Sequence, residues 1–158
     1  MNSGEIRKRI IDVVLANGGH LASSLGAVEI AMALNEVFDA KKDRVIWDVG
    51  HQAYAWKILT GRDNRFDTLR KRAGLSPFPN PAESVAGSAL SVALGLAAAR
   101  DLKGTDEHVV AVVGDASMAN GHSFEALNNC ATETKKLIVI LNDNEMSISR
   151  PTGSFAKL

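Results

Sequence analysis

The chain has 158 residues, enough for one domain with a real core. Its 18 basic and 18 acidic side chains balance, which leaves no charged footprint for nucleic acid or for an anionic membrane surface. The single cysteine, Cys130, excludes an internal disulfide framework and suits a reducing, cytoplasmic setting; no apolar run reaches the length of a membrane span, and Met1-Asn2-Ser3-Gly4-Glu5 lacks the start of a signal peptide.

The predicted elements alternate between helix and strand. Asn2 and Glu5 form a capping-box pattern, and the stripe Ile6, Ile10, Val13 and Val14 behind it predicts a first helix that ends at Gly18-Gly19. Ser24–Phe38 reads as a second helix, apolar on most sides and therefore buried. Val45–Val49 reads as a strand and Gln52–Leu59 as a helix stopped at Gly61. From Arg62 to Ser84 the chain is polar and then rich in proline (Pro77, Pro79, Pro81), the composition of a surface loop. Ser88–Leu102 is a small-residue helix with Leu90, Ala93, Leu94 and Ala97 on one side. A strand over Val109–Val113, a helix over Ser123–Ala131 and a strand over Leu137–Leu141 complete the pattern. Strands separated by helices imply an α/β fold, a parallel sheet flanked by helices with right-handed crossovers, in one domain over residues 1–158. Ligands of such a sheet bind beyond the carboxyl ends of its strands.

The most specific stretch is Gly114–Met146. Val109–Val113 runs into Gly114-Asp115-Ala116-Ser117, and Leu137–Leu141 runs into Asn142-Asp143-Asn144-Glu145-Met146. Each apolar run stops at oxygen-bearing side chains. One carboxylate (Asp115), one amide oxygen (Asn144) and nearby backbone carbonyls suit a hard cation that also holds a diphosphate. Two further glycine-marked turns are Gly18-Gly19-His20 and Asp48-Val49-Gly50-His51-Gln52, and Asn120-Gly121-His122 enters the helix after the Asp115 turn. Glycine allows close approach of backbone to phosphate, and helix amino termini offer free N–H donors. Any one of these turns alone is weak evidence and reads first as ordinary turn chemistry. Three at one edge, two with histidine, point to a phosphorylated ligand.

Leu141-Asn142-Asp143-Asn144-Glu145-Met146-Ser147-Ile148-Ser149, with Gly114-Asp115, resembles the metal and diphosphate signature of thiamine-diphosphate enzymes. Adding Gly19-His20-Leu21-Ala22-Ser23-Ser24-Leu25-Gly26, Ile46-Trp47-Asp48-Val49-Gly50-His51-Gln52-Ala53-Tyr54 and Lys57-Ile58-Leu59-Thr60-Gly61-Arg62, nearly the whole chain resembles the amino-terminal region of the 1-deoxy-D-xylulose-5-phosphate synthases. That resemblance implies a thiamine-diphosphate-binding fold and a transketolase-like transferase. Its reaction decarboxylates pyruvate and joins the remainder to D-glyceraldehyde 3-phosphate, at the head of isoprenoid, thiamine and pyridoxal precursor synthesis. It further implies that Asp115, the Asn144 side chain and the Met146 carbonyl hold magnesium. Gly114, Ala116 and Ser117 would lie against the diphosphate, His51 near the cofactor phosphates, and His20 near the reacting centre.

The resemblance also has gaps. It covers only the diphosphate-binding domain, without the pyrimidine-binding domain, its activating glutamate, or the carboxy-terminal domain. It therefore implies that a pyrimidine-binding domain or chain is needed for activity and that the chain self-associates, most simply as a dimer. A longer loop ending in Gly-His is usual in the family where only Val85 joins Ser84 to Ala86 here, and Ala116 replaces a common glycine. Two readings stay open: the cofactor-binding part of a synthase, or a stand-alone magnesium–diphosphate-binding module or fragment without catalytic activity. Other notable side chains have simpler readings: His122 as a local cap or surface residue, His108 as an exposed residue before a strand, Cys130 as a small core residue, and Tyr54 and Trp56 as packing; for Glu125 a solvated or helix-stabilising charge and a role at the site stay equally open.

Overall fold

A computed structural model describes residues 1–48, 50–78 and 89–143. Helix α1 spans Ser3–Asn17; the Asn2 side chain accepts from the Glu5 N–H at 2.9 Å while the Glu5 carboxylate accepts from the Asn2 N–H at 2.8 Å, the expected capping box. Ile6, Ile10, Val13 and Val14 form its buried face, and Gly18 ends it at φ +78°.

The expected long helix over Ser24–Phe38 is instead two: α2, Ala22–Leu25, and α3, Val28–Val37. Gly26 caps the first and Ala27 opens the second, glycine being a weak helix former. The break is held from outside: Arg7 donates to the Leu25 carbonyl and forks onto Glu29, while Ser24 Oγ donates to the His51 carbonyl. Nor is α3 buried all round. Val28, Ala31 and Leu34 face inward, whereas Val37 stands in solvent.

Strand β1, Arg44–Asp48, leads into a 3₁₀ turn over Gly50–Ala53, the short helix α4 over Tyr54–Lys57, and a wide turn over Ile58–Arg62 that closes at Gly61 with φ +87°. The helix predicted over Gln52–Leu59 is thus a chain of single turns. The polar stretch after it is also not a plain surface loop: a 3₁₀ segment over Asp63–Thr68 brings Phe66 and Leu69 to zero exposure, and Leu75 is buried too. Arg9 holds this segment on α1 by pairing with Asp63 at 2.9 Å and with Asp67, and Asn17 donates to the Asp67 and Leu69 carbonyls. Phe66 and Leu69 are three apart, one helical turn, a signal hidden by the charges around them. Gly74 is obligatory in the turn that follows, because a Cβ there would run into the Thr68 carbonyl. Residues 79–88, including Val85, lie outside the described residues.

The next elements follow expectation with one addition: α5 over Ala89–Lys103 and β2 over Val109–Gly114 are as predicted, the turn after β2 is itself one turn of helix, α6 over Asp115–Met118, and α7 over Gly121–Glu133 and β3 over Leu137–Asn142 are again as predicted. The sheet is parallel in the order β1-β2-β3, with Asp48 opposite Val113 and Gly114 opposite Asn142. Alternation along the strands divides the core between two faces. Val45, Trp47, Val110 and Val112 pack with α1, α3 and α4; Ile46, Val109, Ala111 and Val113 pack with α5 and Ala126 of α7. The four valines of β2 have zero exposure, and burying each contributes about 1.5–3 kcal/mol relative to leaving it in water.

At the amino edge of the sheet, Arg100 is 1% exposed. It donates to the Lys136 carbonyl at 2.7 Å and to Thr134 Oγ1 at 3.1 Å, and forks onto Asp101. One buried side chain thereby joins the end of α5 to the start of β3. Nearby, Asp43 accepts from the backbone N–H groups of His108 and Asp39; burial alone would raise its carboxyl, but these bonds hold it below the usual carboxylate range. Arg100→Ala is expected to lower stability by about 3 kcal/mol in urea denaturation, because several acceptors lose a buried donor. Arg7→Ala, which breaks a solvent-facing pair, is expected to shift the midpoint far less.

Candidate functional site at the carboxyl edge of the sheet

Three in-register parallel strands finish at one edge, and their last residues are Asp48, Gly114 and Asn142. Asp115 follows at once as the first residue of α6. Its carboxylate is half-buried, and among the described residues it has no hydrogen-bonding or charged side-chain partner. A hard oxygen ligand, partly withdrawn from water and without a protein cation, fits a magnesium ion. Among the described residues no group of three or more histidine, cysteine, aspartate or glutamate side chains is arranged for a metal. The expected set does not require one, since Asp115 is its only carboxylate. Asn144 and Met146, the other two expected ligands, lie outside the described residues.

Ala116 and Ser117 sit in the first turn of α6, whose leading N–H groups have no acceptor within the helix. Ala116 adopts right-handed helical geometry, so the alanine in place of glycine carries no strain there. The Ser117 carbonyl accepts from Ser123 Oγ at 2.7 Å and from the Asn120 N–H, and the Asn120 side chain caps α7 at His122. His122 is exposed and serves that local turn, as expected; His108 is exposed and leans on Asp43. Cys130 is only partly buried, which still pushes its thiol up.

The Gly18-Gly19-His20 turn also reaches this edge, by contact with His51 rather than through a strand. The two imidazoles stack at 4.9 Å between centroids with 27° between planes, and Ser24 ties its turn to the His51 carbonyl. His20 is exposed and His51 half-buried. Desolvation first, and the neighbouring His20 second, lower the pKa of His51 from its ordinary 6.5, so the ring is neutral at pH 7 and its nitrogens can each donate or accept once. Beneath the turn, the Tyr54 hydroxyl is buried 3.4 Å from where a Cβ on Gly19 would stand; burial pushes this phenol up, with Arg70 offsetting part of the rise.

Two buried polar residues here carried no role in the sequence reading. Asp48 Oδ2 accepts from the Ala89 N–H at 3.3 Å, seating the start of α5 against the end of β1. Gln52 is 5% exposed and donates Nε2 to the Asp48 carbonyl, while its Oε1 accepts from Asn142 Nδ2 at 2.9 Å. The signal was available: Gln52 is a polar residue at the head of the otherwise apolar run Ala53–Trp56.

Fold and site together define an α/β domain that gathers polar and charged side chains at the carboxyl edge of a parallel sheet. The sequence model of the family described as 1-deoxy-D-xylulose-5-phosphate synthase matches residues 2–158. A 1-deoxy-D-xylulose-5-phosphate synthase of Nitratidesulfovibrio vulgaris (strain DP4) is 54% identical over 162 residues, covering 98% of this chain and 25% of the relative. The corresponding protein of Syntrophotalea carbinolica is 54% identical over 164 residues, covering 99% and 26%, and that of Geobacillus sp. (strain WCH70) is 50% identical over 160 residues, covering 96% and 25%. The chain belongs to the 1-deoxy-D-xylulose-5-phosphate synthase family and corresponds to its amino-terminal part. It spans about a quarter of the length of the curated relatives it matches.

Folding holds His51 below its unfolded value, so the unfolded chain takes up more protons as the pH falls through 6.5. His51 therefore subtracts stability on acidification and has no effect on stability well above that pH. By NMR of the ring protons, His51 is expected to titrate below 6.5, and His20→Gln to raise it part of the way, leaving the larger desolvation effect. An unchanged titration in the variant would contradict the coupling of the two rings.

Proposed function

We propose that this chain is the magnesium- and thiamine-diphosphate-holding part of a transketolase-type transferase, 1-deoxy-D-xylulose-5-phosphate synthase. The enzyme condenses pyruvate with D-glyceraldehyde 3-phosphate with loss of CO2 and so feeds isoprenoid, thiamine and pyridoxal synthesis. The observation that carries this reading is the half-buried Asp115 carboxylate, unpaired among the described residues, at the end of the central strand beside the backbone donors of Ala116 and Ser117. In this reading residues 1–158 form one diphosphate-binding domain. Asp115, with Asn144 and the Met146 carbonyl from the segment after β3, holds magnesium; Gly114, Ala116 and Ser117 line the diphosphate; His51 lies by the phosphates and His20 by the reacting atoms. Thiamine diphosphate, when bound, supplies the electron sink for decarboxylation and carbon–carbon bond formation.

The chain's own residues bind and orient. Neutral His51 can donate one hydrogen bond to an anionic oxygen without titrating near pH 7, and the exposed His20, stacked on it, is placed to exchange a proton with substrate. A pyrimidine-binding domain or a second chain completes the grip, since half of a cofactor's contacts give weak binding and no closed, dry site. Self-association belongs to the same proposal and is supported by Ile138 and Leu141 of β3, apolar and 38% and 55% exposed. A cytoplasmic location fits the lone cysteine, and no helix among the described residues is long and apolar enough to cross a membrane.

Calorimetric titration of thiamine diphosphate in the presence of magnesium is expected to give metal-dependent heat that Asp115→Ala abolishes. Pyruvate decarboxylation is expected only after a pyrimidine-binding partner is added. No metal-dependent binding by the wild-type chain would overturn the proposal; binding that the partner cannot convert to turnover would favour the stand-alone binding module.

A further inference from the structure

The three strand ends are joined to one another by a single side chain. Gln52 sits in the 3₁₀ turn after β1, and its amide spends each of its groups on a different strand. Nε2 donates to the carbonyl of Asp48, the last residue of β1, and Oε1 accepts from Asn142, the last residue of β3. The same Nε2 lies 3.2 Å from where a Cβ on Gly114 would stand, so it also rests against the last residue of β2. A Cβ at 114 would push the amide aside by a few tenths of an ångström. At 5% exposure the Gln52 amide is largely withdrawn from water, so losing either partner would leave a buried polar group unsatisfied.

The neighbours of these contacts are the proposed site. Asp115 follows Gly114, His51 precedes Gln52, and the segment carrying Asn144 begins two residues after Asn142. We propose that Gln52 is a positioning residue: its two hydrogen bonds and its contact with Gly114 fix the spacing of the β1, β2 and β3 termini and thereby hold Asp115 and His51 in register for a metal-bound diphosphate. The inference rests on reading this edge as the magnesium–diphosphate site. Its mechanical part, the clamp from β1 to β3 across the end of β2, stands on the two hydrogen bonds and the Gly114 contact alone.

Gln52→Met tests it, because methionine keeps the length and volume of the side chain and removes both hydrogen bonds. Asn142→Ala breaks the clamp from the other strand and leaves Gln52 in place, which covers the case in which the first variant fails to fold. Val13→Ala, a core truncation in α1, is the control for general loss of stability. Two measurements are made on the whole chain: amide shifts of Gly114 and Asp115 by NMR without ligand, and the affinity for magnesium with thiamine diphosphate by calorimetry. Both clamp variants are expected to move those amide shifts and to weaken binding by about tenfold or more, the range seen when groups supporting a metal ligand are removed. Val13→Ala is expected to lower the melting temperature and do neither. Unmoved amides and wild-type affinity in Gln52→Met would overturn the inference, as would equal effects of Val13→Ala. Should the wild-type chain bind no magnesium–thiamine diphosphate, the reading of the site fails, and the amide shifts alone decide whether the clamp exists.

Discussion

Strand β2 is buried on both faces, and that constraint orders the rest of the molecule. Val109 to Val113 have zero exposure, with α1, α3 and α4 covering one side and α5 and α7 the other. No charged group can sit on such a strand without a large desolvation cost. The first position along it that can carry one is Asp115, one residue past its end. In-register pairing then fixes where the flanking strands stop, and parallel direction puts all three ends on the same side. The gathering of polar groups at one edge is thus a consequence of burial and not a separate device.

The opposite edge is built for closure. Arg100 and Asp43 spend their hydrogen bonds on backbone groups and on side chains of neighbouring elements, including the entering ends of β2 and β3. At the carboxyl edge, by contrast, Asp115 is left without a side-chain partner among the described residues, and two histidine rings are stacked against each other. The contrast has a physical reading. Groups satisfied within the protein contribute stability, whereas groups held in place but left unsatisfied are available to a ligand.

The elements with a clean hydrophobic period were legible in the sequence: the capped helix α1, the β-branched strands and the small-residue helix α5. The parallel α/β architecture followed from their alternation. What could not be read there was set by contacts between distant residues. The split at Gly26-Ala27 depends on Arg7 reaching the Leu25 carbonyl and on the buried Ser24 hydroxyl reaching the His51 carbonyl, and the packing of Phe66 and Leu69 depends on Arg9 and Asn17 of α1. Among the site residues, Asp115 and His51 were marked by their place after strands. The stacking of His20 on His51 was not foreseen, since the resemblance gave each ring its own place, and the role of Gln52 was invisible because a single polar residue in an apolar turn has no periodic signature. Asn144 and Met146 lie beyond the described part of the fold.

The central claim is that the carboxyl edge, at Asp115, holds a divalent cation together with a diphosphate. Paramagnetic relaxation tests it most directly: manganese replaces magnesium, thiamine diphosphate is added, and backbone amide line widths are read across the whole chain. Broadening centred on Gly114–Ser117 and reaching His51, with Arg100 and Lys136 at the far edge unaffected, is the predicted result. Broadening centred on the acidic surface around Asp106 and Glu107, or spread evenly over the chain, would contradict it.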